Sequence, residues 1–315
     1  METDYAIIDY LNTLWKHELL SIPKYLGISK STFYRKLSVL RKNGLREAYV
    51  INTVCSKLKI VNVFLSINAC LRNNKIYNTL LNKLGERILG PLTIIHTFSP
   101  SRSLILSYIA RGDIVEKTID LVYEYSRYLY DVIDALILDQ YEVPVIMYAR
   151  DIILDPLLGV DMCSTSSIEL DIYDYYIIDG LLHGISSIRD ISKTYIIPES
   201  LLRYHYRSHV RELIMRKVYY IEYSPNVLMQ FVLSNKEALY RLLNEFYGLG
   251  VIKCINKIMY SIGTDMFQTI VLLSTNNLPL LINKLYSALD TYEDIYDVRL
   301  LPVYVEVLAR EGTMI

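Results

Sequence analysis

The stretch "LLNKLGERI" at residues 80–88 is matched later in the chain by "LLNEFYGLG" at residues 242–250. Two further segments repeat in the same order, "SLILSYIA" (103–110) with "TIVLLSTN" (269–276) and "DVIDALIL" (131–138) with "DIYDVRLL" (294–301). A repeat at a fixed period sets the architecture of a chain before any motif is considered. We therefore expect one structural unit present twice, so that a single polypeptide imitates a two-fold dimer.

The spacing of apolar residues predicts the element order β-α-β-β-α-β in each copy, which is the order of a ferredoxin-like sandwich. In the first copy the predicted strands are 61–69, 92–98, 103–110 and 132–142, and the predicted helices are 74–85 and 113–129. The second copy runs from about 227 to 308.

Each copy is preceded by a block, 5–51 and 172–221, that predicts three helices followed by a β-hairpin wing. In the first block Ser29 is a candidate N-cap for a third helix over 30–42, and Asn43 and Gly44 are typical of its end. The predicted fold class is α+β, with two winged helix-turn-helix domains alternating with two ferredoxin-like domains of the effector-binding and dimerisation type. The predicted domains are winged helix-turn-helix 1 (1–60), ferredoxin-like body 1 (61–146), a linker (147–170), winged helix-turn-helix 2 (171–225) and ferredoxin-like body 2 (226–315).

Composition excludes several classes of protein. The chain has 33 basic and 34 acidic residues among 315, so no global field draws it to a polyanion. The four cysteines form no CxxC pair, which argues against a cysteine zinc site and a disulfide framework and predicts reduced thiols. No segment resembles a signal peptide and no apolar run reaches the length of a membrane span, so a cytoplasmic location without membrane contact is expected. No cofactor or metal is expected.

The third helix of each block has a polar outward face on a helical wheel. Phe33, Leu37 and Leu40 point inward in the first block, and His205 lies at the edge of the outward face in the second. The outward residues are Ser31, Tyr34, Arg35, Ser38 and Lys42 in the first block and Ser200, Tyr204, Arg207 and Arg211 in the second. Arginine, serine and tyrosine suit base edges and phosphates, so these residues are predicted to contact double-stranded DNA.

The stretch "LLSIPKYLGISKSTFYRKLSVLRKNGLREAYVINTVCSKLKIVNVFLSINA" (19–69) resembles the Lrp/AsnC (feast/famine) family of transcription regulators. The resemblance implies a sequence-specific DNA-binding regulator, not an enzyme, that acts as a single-chain pseudo-dimer. It also implies a small, amino-acid-like effector near a glycine-aspartate turn, for which "SIGTDMFQ" (261–268) supplies Gly263 and Asp265. A homodimer of the chain would then be a pseudo-tetramer.

Two alternatives remain open at this point. The second block has Tyr195 where the first has a turn glycine, Gly27, which favours a ligand-sensing or protein-interaction module that does not bind DNA. Siroheme decarboxylases resemble the same combination of three-helix head and ferredoxin-like body. Such an enzyme would need His, Arg and Trp side chains around a tetrapyrrole, whereas Trp15 lies in the first helix and His96 has no counterpart near Ile258.

Overall fold

The computed structural model describes residues 2–13, 22–67, 74–98, 103–142, 145–146, 152–153, 169–221, 224–261 and 266–308. None of the helices in these ranges is long and apolar enough to cross a membrane. The helices are α1 (Glu2–Thr13), α2 (Ile22–Tyr25), α3 (Lys30–Lys42), α4 (Asn74–Gly85), α5 (Val115–Leu129), α6 (Ile172–Leu182), α7 (Ile188–Tyr195), α8 (Glu199–His205), α9 (Arg211–Leu213), α10 (Lys236–Gly248) and α11 (Leu278–Thr291). The strands are β1 (Leu45–Ile51), β2 (Leu58–Ile67), β3 (Leu89–Thr97), β4 (Ser103–Arg111), β5 (Tyr130–Leu138), β6 (Gln140–Glu142), β7 (Val145–Ile146), β8 (Ile152–Ile153), β9 (Ile214–Ile221), β10 (Val227–Leu233), β11 (Cys254–Tyr260), β12 (Phe267–Ser274) and β13 (Ile295–Leu308).

Two βαββαβ units form the body of the molecule. In the first, β2, β3, β4 and β5 are arranged in the sheet as β5-β2-β4-β3, with α4 and α5 as the connecting helices. In the second, the order is β13-β10-β12-β11, with α10 and α11 in the same roles. All neighbouring strands are antiparallel. The predicted α+β class and ferredoxin-like element order are confirmed.

The two units form one continuous sheet because the last strand of each unit pairs with a strand of the other unit. The long strand β13 pairs with β10 through Pro302 and then with β3 from Val303 onward. In the first unit β5 pairs with β2, and β6, which follows it after Asp139, pairs with β11. Counting β5 and β6 as one strand, eight strands therefore close into a ring, and the closing pairing of β6 with β11 covers three residues. The two repeats therefore pack on each other within one chain.

Side chains alternate between the two faces of this ring. On β2, Val61 and Val63 pack under α4 and α5, in a cluster formed by the first unit. The neighbouring Ile60 belongs to a different cluster, in which residues of both units meet, among them Ile105 of β4 and Met259 of β11. The inside of the ring is therefore a core common to both repeats.

The three-helix blocks contact the ring through their strands. Phe33, Leu37 and Leu40 of α3 are buried, as predicted for the inward face. The predicted β-hairpin wings are wrong, because β1 pairs along its whole length with β9 of the other block, from Leu45 opposite Ile221 to Ile51 opposite Ile214. The two wing strands form one antiparallel ribbon, here called the β1–β9 ribbon, whose residues Val50, Ile51 and Val218 are buried. Burial of these apolar side chains stabilises the pairing of β1 with β9. Neither strand therefore forms a hairpin within its own block.

The cysteine prediction also needs correction. Cys55 is disulfide-bonded, whereas Cys254 is a free, buried thiol. Burial raises the pKa of the Cys254 thiol to about 11, which keeps it protonated and unreactive. The predicted linker over 147–170 also lies largely outside the described residues.

Candidate functional site

A cavity of about 730 Å³ lies where the β1–β9 ribbon meets one end of the ring. Its walls come from both repeats: β1 and Tyr220 from the ribbon, β3 and β4 from the first unit, and β6 and β11 from the far side of the ring. The loop after α6 completes it. The lining residues are Arg41, Leu45, Arg46, Glu47, Ala48, Tyr49, Leu89, Pro91, Thr93, Ser107, Tyr108, Ile109, Tyr141, Leu182, His183, Gly184, Ser186, Tyr220, Asn256 and Lys257. A site of this size, placed where several elements converge, is typical of small-molecule pockets.

The charged residues of the lining are mostly cationic. Arg41, Arg46 and Lys257 face a single acidic residue, Glu47. Glu47 is already neutralised, because its carboxylate lies 3.0 Å from the Arg41 guanidinium and 2.8 Å from the ammonium of Lys217. The cavity therefore has an excess of positive charge, which suits an anionic ligand.

Lys257 is placed by an irregularity in β11. The register between β11 and β12 shifts between Ile255 and Lys257, so that Asn256 is the extra residue of a bulge. Bulges change the direction of a side chain beside a site. The Lys257 ammonium lies 5.0 Å from the centroid of the Tyr141 ring, a cation–π contact. Burial lowers the pKa of Lys257 to about 8, so its charge changes close to neutral pH.

Hydrogen bonds from β6 hold the ribbon wall in place. The hydroxyl of Tyr141 donates to the carbonyl of Tyr49 at 2.7 Å and accepts from the N–H of Ile51 at 3.1 Å. Burial raises the pKa of the Tyr141 hydroxyl, so it stays protonated as a donor. Gln140 adds a bond from its amide to the Ile51 carbonyl at 3.2 Å and accepts from Thr53. The cavity wall is therefore preorganised.

On the opposite wall, Asp179 of α6 connects the second three-helix block to the ring. This fully buried carboxylate accepts from the Gly90 N–H at 2.5 Å and from the Tyr195 hydroxyl. The Nε2 atom of His183, a cavity residue, lies 3.7 Å from the same carboxylate. Asp179 thereby holds β3 against α6, and the imidazole of His183 lies near its carboxylate at the cavity.

Asn62 is an unusual polar residue inside the ring. It is fully buried and stands directly opposite Ser107, a cavity residue, on the neighbouring strand. Opposed residues of paired strands share a face of the sheet. Among the described residues, neither the nitrogen nor the oxygen of its side-chain amide has a hydrogen-bond partner. Such a group is costly to bury and offers a donor and an acceptor to whatever enters the ring.

Gly90→Ala should lower the free energy of unfolding by about 2–4 kcal/mol. Gly90 has a φ of 67°, and an added Cβ would lie 2.7 Å from the Cβ of Leu182, a backbone-anchored atom that cannot rotate away. Urea unfolding measures the change, and Gly248→Ala is the matched control because an added Cβ there meets nothing within 4 Å. Equal stability of the two variants would contradict the close packing of α6 on β3.

The residues predicted to contact DNA do not take part in this cavity. All nine, Ser31, Tyr34, Arg35, Ser38, Lys42, Ser200, Tyr204, Arg207 and Arg211, are exposed. This agrees with the predicted outward faces, and their contact with DNA remains a prediction without support from the fold. Gly263 and Asp265, predicted to bind an effector, and Trp15 lie outside the described residues.

The histidines differ from their predicted places. His205 is buried against Asp174 instead of bordering the outward face, since its Nδ1 atom lies 3.2 Å from that carboxylate. His96 is partly exposed and lies 3.6 Å from Glu306. Sequence reasoning missed Lys257 and His183. For Lys257 a signal exists, because Asn256 and Lys257 interrupt an otherwise apolar strand in "CINKIMY" (254–260).

No family model matches the sequence, and no curated protein sequence matches it. Among solved structures, the crystal structure of the siroheme decarboxylase NirDL aligns with 96% of this chain and 91% of its own, with 13% identity and a TM-score of 0.54. The same enzyme in complex with an iron-uroporphyrin III analogue aligns with 90% of this chain and 83% of its own, at 11% identity and a TM-score of 0.52. A transcriptional regulatory protein of the AsnC family from Pyrococcus furiosus covers only 42% of this chain and 89% of its own, at 18% identity. Its TM-score of 0.26 is too low to carry an argument.

These comparisons correct the functional predictions made from the sequence. The assignment to the Lrp/AsnC family is wrong, and so are the predictions that follow from it: a DNA-binding regulator, a non-enzyme and DNA as the partner. The physical reason lies in the ribbon, since the strands predicted as two separate hairpin wings are paired with each other and form one wall of a cavity. Over nearly its whole length, the chain shares the fold of the siroheme decarboxylase structures.

Proposed function

We propose that the chain is an enzyme that binds a tetrapyrrole carboxylate in the cavity and removes carbon dioxide from it. The observation that carries this proposal is the cavity of about 730 Å³ with three cationic side chains against one neutralised carboxylate. A tetrapyrrole bearing carboxylate side chains is flat and apolar at its centre and anionic at its rim. The cavity offers a matching surface, with Leu89, Ile109 and the ring face of Tyr141 beside its basic groups. A solved structure with the same fold holds an iron-uroporphyrin III analogue, which supports this ligand class.

The residues have distinct roles in the proposed reaction. Arg41 and Arg46, which lie on α3 and β1 at the ribbon side, bind carboxylates at the rim of the ligand. Ser107, which lines the cavity opposite the buried Asn62, provides a hydrogen bond to a polar group of the ligand. His183 contacts the ligand from the opposite wall.

Decarboxylation of an acetate side chain breaks the bond between its methylene carbon and its carboxylate and releases carbon dioxide. The electron pair left on carbon takes up one proton, so that the acetate becomes a methyl group without net oxidation or reduction. Lys257, whose pKa is about 8, is protonated at neutral pH yet gives up its proton readily. A general acid works best when its pKa lies near the working pH. Lys257 is therefore the proposed proton donor, and iron, where present, is part of the substrate.

The three-helix blocks are proposed to be helix-turn-helix units whose wing strands pair with each other instead of forming hairpins, and which serve as cavity walls. Each consists of three helices followed by a strand, and the strands β1 and β9 form the ribbon over the ring. The division into segments 1–60, 61–146, 147–170, 171–225 and 226–315 is part of this proposal. In this division the ribbon wall of the cavity belongs to the two helical units. The other cavity walls belong to the two ferredoxin-like bodies and to the loop after α6.

Binding is tested by titrating the purified chain with iron-uroporphyrin III and following the Soret absorption band. Arg46→Gln should bind about tenfold more weakly, since one charge-assisted hydrogen bond is worth about 1.5–3 kcal/mol. Lys193→Gln is the control, because this exposed lysine of α7 does not line the cavity. A wild-type chain without a Soret shift, or equal affinities for all three proteins, would contradict the site.

Turnover is tested separately by anaerobic incubation with siroheme and mass spectrometry of the extracted tetrapyrrole. The expected product has lost one or more molecules of carbon dioxide. If the chain binds the tetrapyrrole but the extracted tetrapyrrole keeps its full mass, the chain is a tetrapyrrole-binding protein and the proposed decarboxylase activity is refuted.

A further inference from the structure

A second cluster of chemically active side chains lies in the three-helix block formed by α6, α7 and the continuous helix from α8 to α9, away from the cavity. It consists of Asp174 near the start of α6, His205 at the end of α8, and His209 in the π-helical turn Tyr206–Val210 between α8 and α9. One carboxylate oxygen and one ring nitrogen from each histidine lie within 4.8 Å of one another. Within the described ranges, no other group of three such residues comes together in this way.

Local structure explains why these residues meet. Asp174 is fixed by a capping box, since its carboxylate accepts from the Asp171 N–H at 2.9 Å while the Asp171 carboxylate accepts from the Asp174 N–H at 3.1 Å. His205 and His209 are four residues apart, which places them on one face of a helix. The backbone between them widens into a π-helical turn, a distortion that is frequent at functional sites.

We propose that Asp174, His205 and His209 bind a divalent transition-metal ion of the zinc class. The Nδ1 atoms of His205 and His209 lie 3.2 Å and 3.0 Å from oxygens of the Asp174 carboxylate. A tetrahedral zinc ion with bonds of about 2.0–2.1 Å requires ligand atoms about 3.3 Å apart, close to these distances. Two imidazoles and a carboxylate form a donor set that zinc and its neighbours in the first transition row prefer over magnesium or calcium.

The surroundings also suit an ion. Asp174 is fully buried and the His205 side chain is 8% exposed, whereas His209 is 31% exposed and leaves a path from solvent. Burying a carboxylate costs free energy unless positive charge or hydrogen bonds compensate it. A bound cation supplies that charge, and Asp171, whose Oδ1 lies 3.4 Å from the Nδ1 of His205, adds a second negative group nearby.

The ion would join the first turn of α6 to the third helix of its block. The same α6 carries Asp179 and is followed by His183 at the cavity, so the site would stabilise the helix that forms one cavity wall. The proposal does not rest on the identity of the cavity ligand, and its test uses none.

The test is metal uptake by the full chain. The wild-type chain, stripped with a chelator and incubated with Zn²⁺ alone, should retain about one equivalent after gel filtration, as measured by elemental analysis. Co²⁺ should give the visible bands of a tetrahedral ion with nitrogen and oxygen ligands.

The His209→Gln and Asp174→Asn variants should bind Zn²⁺ at least tenfold more weakly. His96→Gln removes a histidine that also lies near a carboxylate but outside the cluster, and it should bind normally.

Absence of Zn²⁺ uptake by the wild-type chain overturns the proposal, whether or not the variants fold. The cluster would then be two histidines hydrogen-bonded to one carboxylate. Unchanged stoichiometry and affinity in both cluster variants also overturns it. So do intense sulfur-to-cobalt bands, which would place the ion on a cysteine. Zn²⁺ should also raise the thermal midpoint of wild type and of His96→Gln but not of His209→Gln, because an ion that binds only the folded state stabilises it.

Discussion

Replacing Asp179 by alanine is expected to lower the free energy of unfolding by about 3–5 kcal/mol. The carboxylate is completely buried and accepts from the Gly90 N–H of β3 and from the Tyr195 hydroxyl of α7. Alanine leaves both donors buried without an acceptor, and each such group costs about 1–3 kcal/mol. The substitution also removes the contact that joins the second three-helix block to the ring.

The change is measured by urea unfolding followed by far-ultraviolet circular dichroism, as a shift in midpoint at constant slope. Asp190→Ala is the matched control, because this exposed carboxylate of α7 has only a loose contact, 3.8 Å, with Lys193. It should change stability by less than about 0.5 kcal/mol. Asp179→Asn keeps an acceptor of the same shape and should fall between the two. A loss for Asp179→Ala no larger than that of the control would show that Asp179 does not connect the block to the ring.

The local parts of the fold could be predicted from the sequence. The helices over 30–42 and 74–85 were predicted with the observed bounds, because apolar periodicity and a serine N-cap are encoded within the segment itself. The closure of the ring could not be predicted in the same way. The segment 132–142 reads as one strand, yet it breaks at Asp139, whose N–H donates to the Tyr260 carbonyl at 3.0 Å as the strand changes partner from β2 to β11. Tyr260 is distant in sequence, and no local pattern reports such a pairing.

The candidate site was recognised only in part, for a related reason. Arg41 and Arg46 are basic residues in and just after the helix predicted to contact DNA, but a helical wheel gives only the direction of a side chain and not the element that lies opposite it. Arg41 is bonded to Glu47, and both arginines line the cavity under the ribbon. The ribbon itself joins strands that are more than 150 residues apart, Leu45–Ile51 and Ile214–Ile221. Basic residues on an isolated helix and strand are typical of a DNA-binding surface. When the strand pairs with β9 and both line a cavity, the same residues are typical of an anion-binding pocket.

Replacing Lys257 by methionine is expected to weaken binding of a tetrapyrrole carboxylate by about 10- to 100-fold at pH 7, the equivalent of about 1.4–2.7 kcal/mol. The ammonium is held inside the cavity wall against Tyr141, where few other groups can neutralise a ligand carboxylate. The loss should appear in the Soret titration as a higher dissociation constant. Lys253→Met is the control, since this neighbouring lysine is exposed and does not line the cavity.

The same lysine predicts how binding depends on pH. Burial lowers the pKa of Lys257 to about 8, so the group is charged below that pH and loses its charge as the pH rises through it. An anionic ligand favours the charged form, so the wild-type affinity should be highest at about pH 7 and fall between about pH 8 and pH 10. Lys257→Arg keeps its charge throughout this range and should bind with nearly constant affinity, while Lys257→Met should bind weakly and also without pH dependence. A decline in wild-type affinity that persists unchanged in Lys257→Met would assign the titration to another group and remove Lys257 from the binding site.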